Sequence, residues 1–177
     1  MMGGLMPLGL ICVDPGYDTG MSLIEVSAEW NKPKVVRHDT INYQKSGSGA
    51  KDFYDKLQEY YDFCRMAQGY AQTDVVLEKF VKRPGVVQPE LTAMKVMGVL
   101  DCWWAGRANR FHSKFHEQVP VQGKHMVTNQ VLLATDTWLP GRANRHINDA
   151  TRHGISYLVS KAHVGTCRAA FGPPEED

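Results

Sequence analysis

Apolar and polar positions divide the chain into a strand-rich first part and a helix-rich remainder. Leu8–Val13 is a continuous apolar run of strand length, and a second run over about Gly20–Ser27 follows closely. Asp14-Pro15-Gly16 breaks the ladder between them, so the two runs read as neighbouring antiparallel strands. Asn31-Lys32-Pro33 turns the chain again, and Lys34–Asn42 reads as a third strand of one meander. Phe53, Leu57, Tyr60 or Tyr61, Cys64 and Ala67 then recur at helical spacing, which predicts a helix over Ala50–Gln68 with Ser48 as its cap.

Thr73–Phe80 is a short apolar run of the kind that forms a central parallel strand, and like the first strand it meets an acid at its end, Glu78. Pro89 opens a helix to Ala105 with Leu91, Met94, Met97, Leu100 and Trp104 on its apolar stripe. Gln118–Gln122 is expected to be a fifth strand, Lys124–Ala134 a helical piece, and Asn148–Ala162 the closing helix. Gly165–Asp177, with its Pro-Pro and acidic end, reads as a frayed tail. The order βββαβαβαα implies an α/β fold, a mixed sheet with helices on its faces. The domain is expected to span residues 1–165, with a flexible acidic tail over 166–177.

The chain has 177 residues, the size of one domain with a proper core. Its net charge of +1 gives no global signal for nucleic acid, but the charge is unevenly placed. Between Ala105 and Arg168 stand nine Lys or Arg against three acids, a balance that suits a polyanion-facing side or a solvated surface. Cys12, Cys64, Cys102 and Cys167 have no paired CxxC spacing, which favours reduced core thiols over a disulfide frame or zinc site. Met1–Val13 lacks the basic start and cleavage site of a signal peptide, and no run approaches the roughly 18 apolar residues of a membrane span. A soluble, cytoplasmic protein is expected. Gly106-Arg107-Ala108-Asn109-Arg110 recurs as Gly141-Arg142-Ala143-Asn144-Arg145, by chance at helix boundaries or as two similar phosphate-contacting loops.

The chemistry concentrates in three places. Asp14 and Glu78 lie at the ends of buried strands, where a carboxylate needs a partner. His146, Asp149 and His153 are spaced by three and four, so they share one face of the last helix. Singly, each is accounted for by a turn aspartate, a helix-start acid or a satisfied histidine. Jointly they point to three converging acids that would raise one another's pKa unless cations neutralised them. Two divalent ions about 3.5–4 Å apart would do so and would clamp a phosphodiester for attack by water.

Three segments carry a resemblance to a known family: Ile11–Gly20 with its Asp-Pro-Gly-Tyr-Asp-Thr-Gly run, Val76-Leu77-Glu78-Lys79-Phe80, and His146-Ile147-Asn148-Asp149-Ala150. The chain resembles the RuvC-type Holliday-junction resolvases of the RNase H-like superfamily, in the manner of divergent phage-borne versions, over about residues 8–163. The resemblance implies an RNase H-like five-stranded sheet, three strands antiparallel and two parallel. It also implies a structure-specific endodeoxyribonuclease of recombination and repair that nicks symmetric strands of four-way junctions. By this resemblance Asp14, Glu78, His146 and Asp149 are expected to bind two Mg2+, with Mn2+ able to substitute. Histidine at position 146 is a tolerated variant there, and His153 adds an imidazole one turn on. The aromatic wedge of bacterial members is out of register, with Phe80 one residue early, and is not carried over.

One metal would activate water and the other would stabilise the leaving 3′-oxygen, leaving a 5′-phosphate, with His146 or His153 as base. Lys79, Lys82, Arg83, Arg107, Arg110, Lys124, Arg142, Arg145 and Arg152 are the candidate DNA contacts. Branched DNA is the expected partner and a homodimer the expected assembly, in the host cytoplasm if phage-encoded. Trp103 and Trp104, about 100° apart on a helix, serve either a dimer interface or a larger core. The competing functions are a related nuclease for flaps, forks or branched phage DNA, an actin-like or sugar-kinase-like ATPase, and a non-catalytic DNA-binding protein.

Overall fold

The structure is a computed structural model and describes residues 8–26, 31–43, 48–67, 70, 72–79, 91–107, 113–119 and 125–172. Its strands are β1 (Leu8–Asp14), β2 (Asp18–Val26), β3 (Lys34–Asn42), β4 (Gln72–Glu78) and β5 (Phe115–Gln118). Its helices are α1 (Gly49–Asp62), α2 (Leu91–Ala105), α3 (Asn129–Ala134), α4 (Arg145–Ser160) and α5 (Val164–Phe171). The strands form one sheet in the order β3-β2-β1-β4-β5. The meander β1-β2-β3 is antiparallel, while β4 lies parallel to β1 and β5 parallel to β4. This is the mixed five-stranded sheet expected from the sequence.

Alternation along the strands supplies both faces of the sheet. Ile11, Val13, Leu23, Val75 and Leu77 pack with Phe53, Leu57, Tyr60 and Trp103 of α1 and α2. Leu10, Cys12, Ile24 and Val76 pack with Ala150, Ile155 and Leu158 of α4 and with Leu132 of α3. Trp103 is fully buried, and Trp104 lies half-buried against it and Phe115, so the intramolecular core claims both rings.

α4 seats so closely that two positions on the sheet-facing side require glycine. A Cβ at Gly20 would overlap the His146 carbonyl, and one at Gly154 would overlap Cys12 Sγ. The second glycine of the Asp-Pro-Gly-Tyr-Asp-Thr-Gly run is therefore the seat of the helix that bears His146 and Asp149. Within that run Thr19 Oγ1 donates to Gly16 O at 2.9 Å and tightens the turn.

Several boundaries differ from expectation. The helical piece expected over Lys124–Ala134 is interrupted at Val127 and Thr128, and α3 begins at Asn129 with Thr128 as its cap. The helix after β3 gives way at Phe63–Ala67 to a π-helical turn. The fifth strand lies three residues upstream, because buried Asp74 accepts from Lys114 N at 2.7 Å and fixes the entry of the strand beside β4. The last helix begins at Arg145, since Asn148 spends its side chain on Leu139 and caps nothing. The expected tail is a helix as far as Phe171, capped by His163, whose Nδ1 accepts from Thr166 N at 3.1 Å, with Thr166 buried. Cys12 and Cys64 are core thiols, whereas Cys102 is exposed and Cys167 half-buried; all four are free. Among the described residues no helix is long and apolar enough to cross a membrane.

Candidate active site

β1 and β4 run side by side in parallel, with Val13 opposite Leu77, so their last residues, Asp14 and Glu78, emerge together. α4 crosses the same face and lays its polar side against them. His146 Nδ1 stands 3.3 Å from Asp14 Oδ2, and His153 Nε2 stands 3.0 Å from Glu78 Oε2. Asp149, between the two histidines, acts electrostatically on Asp14, and so does Glu78. Asp14 therefore has both of the other acids as electrostatic neighbours.

The cluster is electrostatically costly. Burial, then the Glu78 carboxyl and the charge of Asp149, push Asp14 up to about 6, although the hydrogen bond from His146 opposes them. His146 is raised in turn, chiefly by its bond to Asp14. The two histidines differ in access. His146 keeps 38% of its side chain exposed, whereas His153 is fully buried.

Gln118 on β5 explains the orientation of His153. With its amide turned so that the nitrogen donates to His153 Nδ1 and to the His153 carbonyl, both at 3.2 Å, its oxygen accepts from Tyr157 N. That assignment makes Nδ1 an acceptor and leaves the Nε2 proton for Glu78. Asp149 is engaged by Arg152, which also donates to Asn129 and, at 3.1 Å, to Val127 O. Sequence reasoning missed Gln118, which stands in a short strand with no spacing signal. It also missed the role of Arg152, which the i,i+3 spacing to Asp149 could have shown.

The candidate DNA contacts divide. Arg142 and Arg145 are exposed at the start of α4, and Lys79 lies 3.3 Å from Glu117. Arg107 and Arg152 correct the expectation. The Arg107 guanidinium donates to Trp103 O and Gln58 and lies 4.5 Å over the Trp103 ring. Arg152, with 13% of its side chain exposed, is spent on Asp149. The repeated pentapeptide thus has opposite uses, since Gly106-Arg107 ends α2 whereas Gly141–Arg145 leads into α4. Lys82, Arg83, Arg110 and Lys124, and the out-of-register Phe80, lie outside the described residues.

Solved structures share this architecture. RuvC of T. thermophilus in complex with Holliday junction substrate has 12% identity and a TM-score of 0.58 over 88% of this chain and 97% of that one. The fowlpox virus Holliday junction resolvase has 15% identity and a TM-score of 0.52 over 86% and 99%. The yeast mitochondrial Holliday junction resolvase has 10% identity and a TM-score of 0.50 over 87% and 79%. The fold is that of the RuvC-type resolvases. No protein-family profile and no curated protein sequence matches the chain. At such low identity the likeness to RuvC-type structures carries the fold, and the chemistry rests on the geometry above.

The donors suit a hard divalent ion: three carboxylates with one accessible imidazole, crowded enough that the Asp14 carboxyl is pushed up to about 6. Their arrangement is not a closed coordination sphere. Among the described residues no three His, Cys, Asp or Glu side chains are gathered tightly enough to hold an ion. Asp14 and Asp149 face basic partners, and Glu78 faces His153.

Proposed function

We propose that the protein is a metal-dependent, structure-specific endodeoxyribonuclease that nicks symmetric strands of four-way DNA junctions as a homodimer. The observation that carries this reading is the convergence of Asp14, Glu78 and Asp149 at the ends of two parallel strands, with Asp14 pushed up to about 6. A fold that retains so costly a cluster gains by it when the charge is used. The RuvC-type architecture agrees, because the structures it resembles include a resolvase with junction substrate.

Asp14, Glu78, Asp149 and His146 would hold two Mg2+ ions, or Mn2+ in their place. When bound, such ions supply positive charge that acidifies a water and neutralises the leaving oxygen. His146 is accessible beside Asp14, so it would either join the donors to an ion or take a proton from water. His153 has no path to solvent and is bonded through both ring nitrogens, so it acts as a positioning residue that holds Glu78. Arg152 does the same for Asp149. Arg142 and Arg145 offer exposed cations to the DNA backbone, a contact that weakens steeply with salt.

The test is incubation with a synthetic four-way junction beside linear duplex and flap controls, in Mg2+ and in Mn2+, with Asp14→Asn in parallel. The proposal expects paired nicks in the junction, 5′-phosphate ends and an inert variant. A variant that cuts as well as the parent refutes the assignment of the site, and equal cutting of duplex refutes the structure specificity.

A further inference from the structure

A cleft of about 540 Å³ opens beside Asp149, and its walls come from the start of α3, the connection around Trp138 and the first turns of α4. That volume lies within the range of small-molecule sites, roughly 300–1,000 Å³. Because Asp149 belongs both to this cleft and to the acid cluster, whatever enters lies beside that cluster.

Three features describe the occupant. Arg145 stands four residues before Asp149, hence on the same helical face, and it is exposed with no ion pair among the described residues. A guanidinium so placed fits a phosphate in bidentate fashion. Trp138 is half-buried, its body packed on the α4-side core, and it also lines the cleft, so it brings an aromatic ring to its wall. The segment bearing it is rigidly mounted: Asn148 Oδ1 accepts from Leu139 N at 3.0 Å and its Nδ2 donates to Leu139 O at 2.8 Å. Asn129 and Arg152, joined to each other on the far wall, add polar groups. A planar ring, a cation and amides around one open polar space are the complement of a nucleotide.

We propose that this cleft is a subsite for a single nucleotide of the cleaved strand, unstacked from its neighbours, with its base on Trp138 and its phosphate on Arg145. The inference rests on the nuclease reading above and goes beyond it, because it assigns a recognition element for one position next to the cut. A base inside a duplex presents no free face. Unstacking costs least where stacking is already interrupted, as at a branch point, so the subsite favours branched over linear DNA.

The experiment is a cycle between protein and substrate. Four-way junctions carrying one abasic nucleotide at each of the positions flanking the mapped nick are compared with the intact junction. Each is cut by the parent, Trp138→Ala, Trp138→Phe and Arg145→Ala. One abasic position is expected to lower kcat/KM of the parent about 10-fold, the scale of one base–aromatic stack. Trp138→Ala should lose about as much on intact DNA and lose nothing further at that position, while Trp138→Phe follows the parent. Arg145→Ala should raise KM on both substrates and flatten the salt dependence.

If every abasic position costs Trp138→Ala as much as it costs the parent, or costs the parent nothing, there is no such subsite. Failure of the parent to nick the intact junction is a different result. It removes the nuclease reading, and the subsite with it.

Discussion

Asp14 carries the electrostatic burden of the site, and its titration can be followed without any assay of activity. Its folded-state value of about 6 lies above the ordinary 3.8, so between these limits the folded chain binds more protons than the unfolded one. The stability from this group is therefore present in full below about pH 4 and is lost as pH rises through about 6. Asp14→Asn is expected to melt higher than the parent in EDTA at pH 7, by a few degrees for a change on the order of 2 kcal/mol. That gain should vanish by pH 4, and Mg2+ or Mn2+ should raise the melting temperature of the parent but not of the variant. At His153 the expected substitution effect is on rate. His153→Leu keeps the bulk and removes the donor to Glu78, and nicking should fall 10–100-fold, the scale of an outer-shell hydrogen bond, while circular dichroism stays that of the parent. The acids and His146 were legible in the sequence because a polar residue ending an apolar run, and a three-four spacing on a helix, are patterns of position. Gln118 and Arg152 were not, because their roles depend on which neighbours the fold delivers.

The decisive element is α4, which the sheet holds at backbone distance. Gly20→Ala would drive a methyl group into the His146 carbonyl. Overpacking of this kind costs about 1–3 kcal/mol, and because the displaced residue belongs to the site, nicking should fall further than stability. Chemical denaturation and nicking rates measured on the same preparation check both. The strands β1 to β4 were read well from the sequence since apolar runs bounded by Pro and Gly leave little choice of register. Two of the misplaced boundaries share a cause: a polar side chain makes a tertiary bond. Asn148 clamps Leu139 instead of capping α4, and Asp74 sets the entry to β5 from inside the core. At α5, the cap supplied by His163 outweighs a composition that reads as disordered.

For the whole molecule, the proposal needs two copies of the site, since a four-way junction offers two symmetric strands. α2 presents Met94, Gly98, Cys102 and Ala105 at helical spacing on its exposed side, with Met94 50% exposed, while Trp103 turns inward. If the proposed homodimer forms through α2, this small-residue and methionine stripe is the face that packs. Sedimentation should report a dimer for the parent and a monomer for Met94→Lys, with single-strand nicking retained but the paired cuts uncoupled.

The account as a whole stands on Asp14, Glu78 and Asp149 acting as one unit, and comparison of single with double variants measures that directly. Junction nicking rates for Asp14→Asn, Glu78→Gln and Asp149→Asn, alone and in pairs, should all lie at one floor, because groups that work as a unit lose their effect together. Rate losses that multiply from single to double variants, or one acid whose removal leaves the rate unchanged, would contradict it.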